Sequence, residues 1–172
     1  VNTPAVTTDP SGEAGLDSVL LRVGKLNYAW SNTESLLVHL LAGLTGMDKD
    51  SAIVVFLSIS STKGRIELIE RLAKLRLSAG PKQRELLELM TQFGRLSAVR
   101  NRYNHSIWSF QEDGSISTIL MRIADRRDRI RMGQRHMLDG DQMARLDLDL
   151  ETLSALNRSI WRYLQEYEYP IE

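Results

Sequence analysis

The stretch Pro81–Trp108, PKQRELLELMTQFGRLSAVRNRYNHSIW, decides how this chain is read. Leu86, Met90, Phe93 and Ser97 recur at spacings of three or four, the period of one face of an α-helix. Pro81 suits a first turn, where a backbone N–H is not needed. The spacing predicts one long amphipathic helix, with the pattern shifting beyond His105. The next positions on the stripe are Arg100 and Asn104, so charged and polar groups stand where core residues are expected. Buried charge is unfavourable unless paired. The cluster is therefore either a structural network or a site.

On the N-terminal side, Ser78-Ala79-Gly80 separates this helix from an earlier one over Thr62–Leu77, whose apolar positions are Ile66, Ile69, Leu72 and Ala73. Lys63 and Arg65 stand in its first turn, where positive charge opposes the helix dipole. They read as solvated surface charges, with a phosphate contact as the alternative. Residues 48–60 carry the β-branched run Ile53-Val54-Val55, which favours a strand on propensity. Asp48 or Asp50 offers an N-cap and the neighbours are helical, so a short helix is expected. From Leu16 to about Leu44, the residues Val19, Leu26, Trp30, Leu37 and Leu41 mark a long first helix with Asp17 or a neighbour as cap. Asn27 and Glu34 lie inside its stripe. Glu34 is either a half-exposed edge residue or a buried carboxylate meeting a buried arginine, with Arg100 the obvious partner. Residues 1–15 are rich in Pro, Gly and small polar residues and read as a flexible tail. Residues 16–172 read as one domain.

On the C-terminal side, Ile107-Trp108-Ser109-Phe110 and Ser115–Met121 flank Asp113-Gly114, which reads as a β-hairpin. Residues 122–136 then hold six Arg against two Asp. A solvated face or loop is one reading and an arm for RNA phosphates the other. The hairpin and this Arg-rich segment together form an insert at about 107–140. Leu150, Leu153, Leu156, Ile160 and Leu164 give a final helix, with Asp149 as its cap. The expected fold is all-α: an up-and-down bundle of four to five helices with a small β-hairpin inserted after the motif helix.

Bulk properties bound the rest. At 172 residues, 42% hydrophobic and 26% charged, the chain has the composition of one ordinary globular domain. Its formal charge is zero, so only local patches can steer it to nucleic acid. There is no cysteine, which removes disulfides and thiol nucleophiles. His39, His105 and His136 show no metal-ligand spacing, and no cofactor fingerprint is present. No apolar run reaches membrane-spanning length and no leader pattern opens the chain, so a cytoplasmic protein without membrane association is expected.

Within Arg100-Asn101-Arg102-Tyr103-Asn104-His105, Asn101 and His105 are one turn apart, as are Arg100 and Asn104. Arg100 and His105 stand about 140° apart on a regular helix. They meet if the helix loosens at Asn104, or if two copies face each other across a two-fold axis. An Arg with a polar neighbour, three further residues and then His, at the end of a long helix, resembles the HEPN superfamily. Arg100, Asn101 and His105 occupy that family's motif positions. The resemblance spans roughly Leu16–His105 and the last helix.

The resemblance implies a homodimer whose facing motif helices form a metal-independent endoribonuclease. Attack by a ribose 2′-hydroxyl needs a proton acceptor, a proton donor and a cation near phosphorus. Imidazole can serve as either proton group, which assigns His105. A guanidinium can hold the phosphate, which assigns Arg100. Asn101 is expected to orient His105 or the phosphate, while Arg102 and Tyr103 would line the RNA path by charge or stacking. Two other readings stand beside this. One is a non-catalytic module that binds RNA, a nucleotide or a protein, with Glu34–Arg100 and Asn104–His105 as a register-fixing network. The other is the toxin half of a pair held inactive by a neutralising protein, which an apolar patch beside His105 would favour.

Overall fold

The computed structural model describes residues 10–111, 115–120, 123–126, 129–133 and 135–171. Among these, five helices build the bundle: α1 (Pro10–Thr45), α2 (Lys49–Ser58), α3 (Thr62–Arg76), α4 (Pro81–Asn104) and α5 (Gly140–Glu166). Five short strands lie between α4 and α5: β1 (Ser106–Phe110), β2 (Ile116–Leu120), β3 (Ile123–Arg126), β4 (Arg129–Met132) and β5 (Arg135–Met137). The expected helical bundle with a hairpin after the motif helix is the observed architecture.

Helix α1 is the spine, packing against α2, α3 and α5, while α4 closes the bundle against α3 and α5. Leu26, Trp30, Leu37 and Leu41 of α1 meet Ile69 of α3, Leu86, Met90 and Phe93 of α4, and Leu153, Ile160 and Tyr163 of α5 in one core. Trp30 stacks on Phe93 with ring centroids 4.3 Å apart. Such burial of large apolar and aromatic side chains is the main driving force for the fold.

Local chemistry sets most helix ends. Asp48 caps α2: its carboxylate accepts from Ser51 N at 2.9 Å and from the Ser51 hydroxyl at 2.7 Å. The backbone N–H of Ser51 holds the Asp48 carboxyl below its ordinary value. The β-branched run therefore folds as a helix, with Ala52 and Phe56 turned inward one turn apart. Gly46, at φ 74°, ends α1 and sends its N–H to Ala42 O. That left-handed conformation is the one glycine adopts without strain.

Several boundaries depart from expectation. Helix α1 starts at Pro10, so residues 10–15 of the expected tail are helical and Asp17 lies within the helix; residues 1–9 fall outside the described part. Helix α5 begins at Gly140 under an Asp139 cap, which accepts from Gln142 N at 2.9 Å. Asp149 is thus a mid-helix residue rather than a cap. Helix α4 stops at Asn104, with His105 as its C-cap. The Ser106 hydroxyl donates to Arg102 O there, satisfying one of the carbonyls a helix end leaves open. From Ser106 onward the chain pairs as a strand with β2, which ends the helix four residues before Trp108.

The sheet order is β1-β2-β5, all antiparallel, with Phe110 opposite Ile116 and Ser106 opposite Leu120 in the expected hairpin. The Asp113-Gly114 turn lies outside the described residues. The described residues of the Arg-rich segment are largely strand, not loop. They contribute β3 and β4 as a separate two-stranded ribbon, and then β5.

Candidate functional site

Along α4 the burial shifts from one row of residues to another. Leu86, Met90 and Phe93 are fully buried, but the continuation of that row climbs outward, with Arg100 half-buried and Asn104 exposed. The core seam passes instead to Leu89, Leu96 and Tyr103, spaced by seven. Near the end of α4, Tyr103 neighbours Asp149 of α5, and the motif face turns toward the rim. The cluster is therefore not inside the core, as the stripe had predicted.

Asn101 bonds to both Arg100 and His105. Its side-chain oxygen accepts from Arg100 Nη1 at 3.2 Å, and its backbone carbonyl accepts the N–H of His105 at 3.0 Å. The Arg100 guanidinium is thereby drawn toward the side of the helix that carries Asn101. Arg100 Nε is buried without a hydrogen-bond partner. A buried donor left unpaired is unfavourable by ~1–3 kcal/mol, and an oxyanion at the guanidinium would relieve it. The His105 ring is exposed, on backbone already outside the helix at φ −118°, ψ 28°. The helix thus ends at His105, whose N–H still closes the last helical turn.

The other expected members separate. Asn104 does not pair with His105. It forms a reciprocal amide pair with Asn27 of α1, its Nδ2 donating at 2.7 Å and its Oδ1 accepting at 3.1 Å. The pair pins the end of α4 to α1, and Asn27 further donates to Val23 O at 3.1 Å. Tyr103 is 4% exposed, so its ring is not available to stack on a base. Burial pushes its hydroxyl above the ordinary value, with Asp149 adding to the shift and Arg102 opposing it. Arg102 is exposed beside the motif, where it can act by charge.

Glu34 belongs to a different cluster. Its Oε1 accepts from Arg65 Nη1 at 3.0 Å and from the Thr62 hydroxyl at 2.6 Å. Arg65 Nε also donates to Ile59 O at 3.0 Å, and its guanidinium lies 4.1 Å above the Phe56 ring. Arg65 is thus no solvated surface charge. A carboxylate from α1 compensates its unfavourable first-turn position, and Arg100 is not the partner of Glu34. Lys63 does stay in solvent, 3.7 Å from Glu67.

Two signals in the sequence pointed to these pairings. Asn27 and Glu34 were both polar interruptions of the α1 stripe, and Arg65 was a cation without an acid in its own turn. Elsewhere, a cavity of about 570 Å3 opens beside Lys82, Tyr167 and Tyr169. Lys82 lies about 27 Å along α4 from Arg100, so this cavity is remote from the motif. Among the described residues no group of three His, Asp or Glu could hold a metal ion, and no helix is long and apolar enough to cross a membrane. In comparisons with known proteins, no family model, curated protein or solved structure matches the chain.

Proposed function

We propose that this chain is a HEPN-like protein that cleaves RNA without a metal, using Arg100, Asn101 and His105 from two copies around one phosphodiester. One observation carries the reading. Asn101 holds a guanidinium with an unsatisfied buried donor on one side and the C-cap backbone of an exposed imidazole on the other. One His105 takes the proton of the ribose 2′-hydroxyl and O2′ attacks phosphorus. The second copy's imidazolium returns a proton to the departing O5′, leaving a 2′,3′-cyclic phosphate. Arg100 neutralises the charge gathering on the non-bridging oxygens. One subunit offers a single motif imidazole, so the two proton transfers call for the homodimer. Arg102 adds charge at the rim, and the Asn27–Asn104 pair positions the end of α4.

The test is cleavage of a labelled single-stranded RNA by wild type, R100A and H105A, with mass measured by light scattering. Both variants are expected to stay dimeric and lose cleavage by at least about a hundredfold, the scale of general acid–base catalysis. Unchanged cleavage by either overturns the assignment.

A second reading has an observation of its own. Ile107 is 53% exposed two residues after His105, and Met137 is 44% exposed on the same sheet face. Exposed apolar side chains beside a site favour a protein that covers it, as a neutralising partner would. In that reading the same residues bind RNA or a nucleotide and turnover awaits release of the partner.

A further inference from the structure

The register of the β3–β4 ribbon separates its residues by chemistry. Arg126 stands opposite Arg129, Ala124 opposite Arg131, Asp125 opposite Ile130 and Ile123 opposite Met132. Residues alternate faces along a strand and directly opposed residues share one. One face of the ribbon therefore carries the positions Arg126, Arg129 and Arg131, with Ala124. The other carries Ile123, Ile130 and Met132, with Asp125. Opposed positions lie about 5 Å apart between Cα atoms and alternate positions on one strand about 6.7 Å apart. Three arginine positions on one face, with no acid among them, give that face a formal charge of the sign a phosphodiester backbone complements.

Topology fixes where the ribbon is rooted. Its strands are inserted between β2 and β5. The sheet positions nearest the insertion are Leu120, opposite Ser106, and Arg135, opposite Ile119. Ser106 directly follows His105. The ribbon thus leaves the sheet at the end that adjoins the motif, and its four-residue strands extend about 13 Å.

We infer that the Arg126–Arg129–Arg131 face of this ribbon is a nucleic-acid arm that grips the phosphodiester backbone of a single-stranded RNA and holds it beside Arg100 and His105. The inference rests on the RNA reading of the motif. It extends that reading by assigning substrate grip to a separate element, which reads charge and not base sequence. A lipid surface fits less well, because Asp125 interrupts the apolar face and only three apolar positions remain to enter a bilayer.

The test uses the full chain carrying H105A, so that RNA is bound but not consumed. Binding of a fluorescein-labelled single-stranded RNA is followed by anisotropy between about 50 and 200 mM salt. The further substitutions R126Q, R129Q and R131Q together should lower the log–log salt slope by about 2, since each phosphate contact on a single strand contributes ~0.7. The affinity ratio to the parent then narrows about 16-fold across that salt range. The corresponding triple Lys variant should keep the parent slope, which separates lost charge from a disturbed ribbon. An unchanged slope in the triple Gln variant with an unchanged melting temperature overturns the arm, even if R100A and H105A abolish cleavage. A ribbon-dependent slope in a protein that cleaves no RNA upholds the arm and overturns the catalytic reading. Loss of binding to phosphatidylserine vesicles with the RNA slope intact overturns the arm in favour of a membrane surface.

Discussion

Removing the Glu34 carboxylate should destabilise the fold by far more than a surface ion pair would. Arg65 and Glu34 lie 3.0 Å apart with side chains only 17% and 14% exposed. At an effective dielectric of about 20, that separation gives about 5–6 kcal/mol of attraction before desolvation is subtracted. Breaking a buried pair on one side typically destabilises by 3–5 kcal/mol, because the remaining charge is stranded. We expect about 3 kcal/mol for Glu34→Ala. Arg65→Ala should reach about 4 kcal/mol, since it also removes the bond to Ile59 O and the packing over Phe56. The double variant should lose about 4–5 kcal/mol, leaving a coupling of ~2–3 kcal/mol. For a chain of this size Glu34→Ala then lowers the melting temperature by about 6–12 °C. Urea unfolding of the four proteins gives the cycle directly. A parallel cycle between Glu34 and Arg100 should be additive within about 0.5 kcal/mol. Coupling below 0.5 kcal/mol for Glu34–Arg65, or a clear coupling for Glu34–Arg100, refutes the assignment.

Two further outcomes follow from the packing. A Cβ on Gly43 would lie 2.1 Å from Cδ1 of the buried Tyr169 ring, so Gly43→Ala should destabilise by ~2–3 kcal/mol in chemical unfolding. In a Tyr169→Ala background the clash is gone, and the same change should become neutral or favourable by up to ~1 kcal/mol, as expected within a helix. Burial raises the Asp149 carboxyl above its ordinary 3.8, against the opposing charges of Arg145 and Arg102. A raised carboxylate weakens the fold above its folded value, and the penalty fades as pH falls through that value toward 3.8. Asp149→Asn should therefore melt higher than wild type at pH 7, with the difference vanishing near the ordinary value. Thermal melts at stepped pH check the sign, and a variant less stable at neutral pH contradicts it.

Much of the bundle was legible from the residues because its signals are local. The Leu86–Met90–Phe93 row required a helix, the Asp48 cap outweighed the β-branched run behind it, and the Asp-Gly turn between two apolar runs announced β1 and β2. Periodicity alone identified Trp30 and Phe93 as core positions, although it could not say that they stack.

The partners of polar residues were decided at long range. The sequence suggested Arg100 for Glu34, but the packing of α3 against α1 brings Arg65 to it instead. Asn104 looked inward by spacing, yet the seam of α4 had moved to Tyr103, where α5 backs the helix. Periodicity reports which residues share a face; it carries no information about which neighbour that face meets. By itself the sequence determined the helices, the hairpin and the presence of an unusual Arg–Asn–His end to α4. Tertiary structure alone decided that Glu34 pairs with Arg65 and that Asn104 is held by Asn27 of α1. Such contacts depend on how separate elements pack, and that is set by the whole core at once.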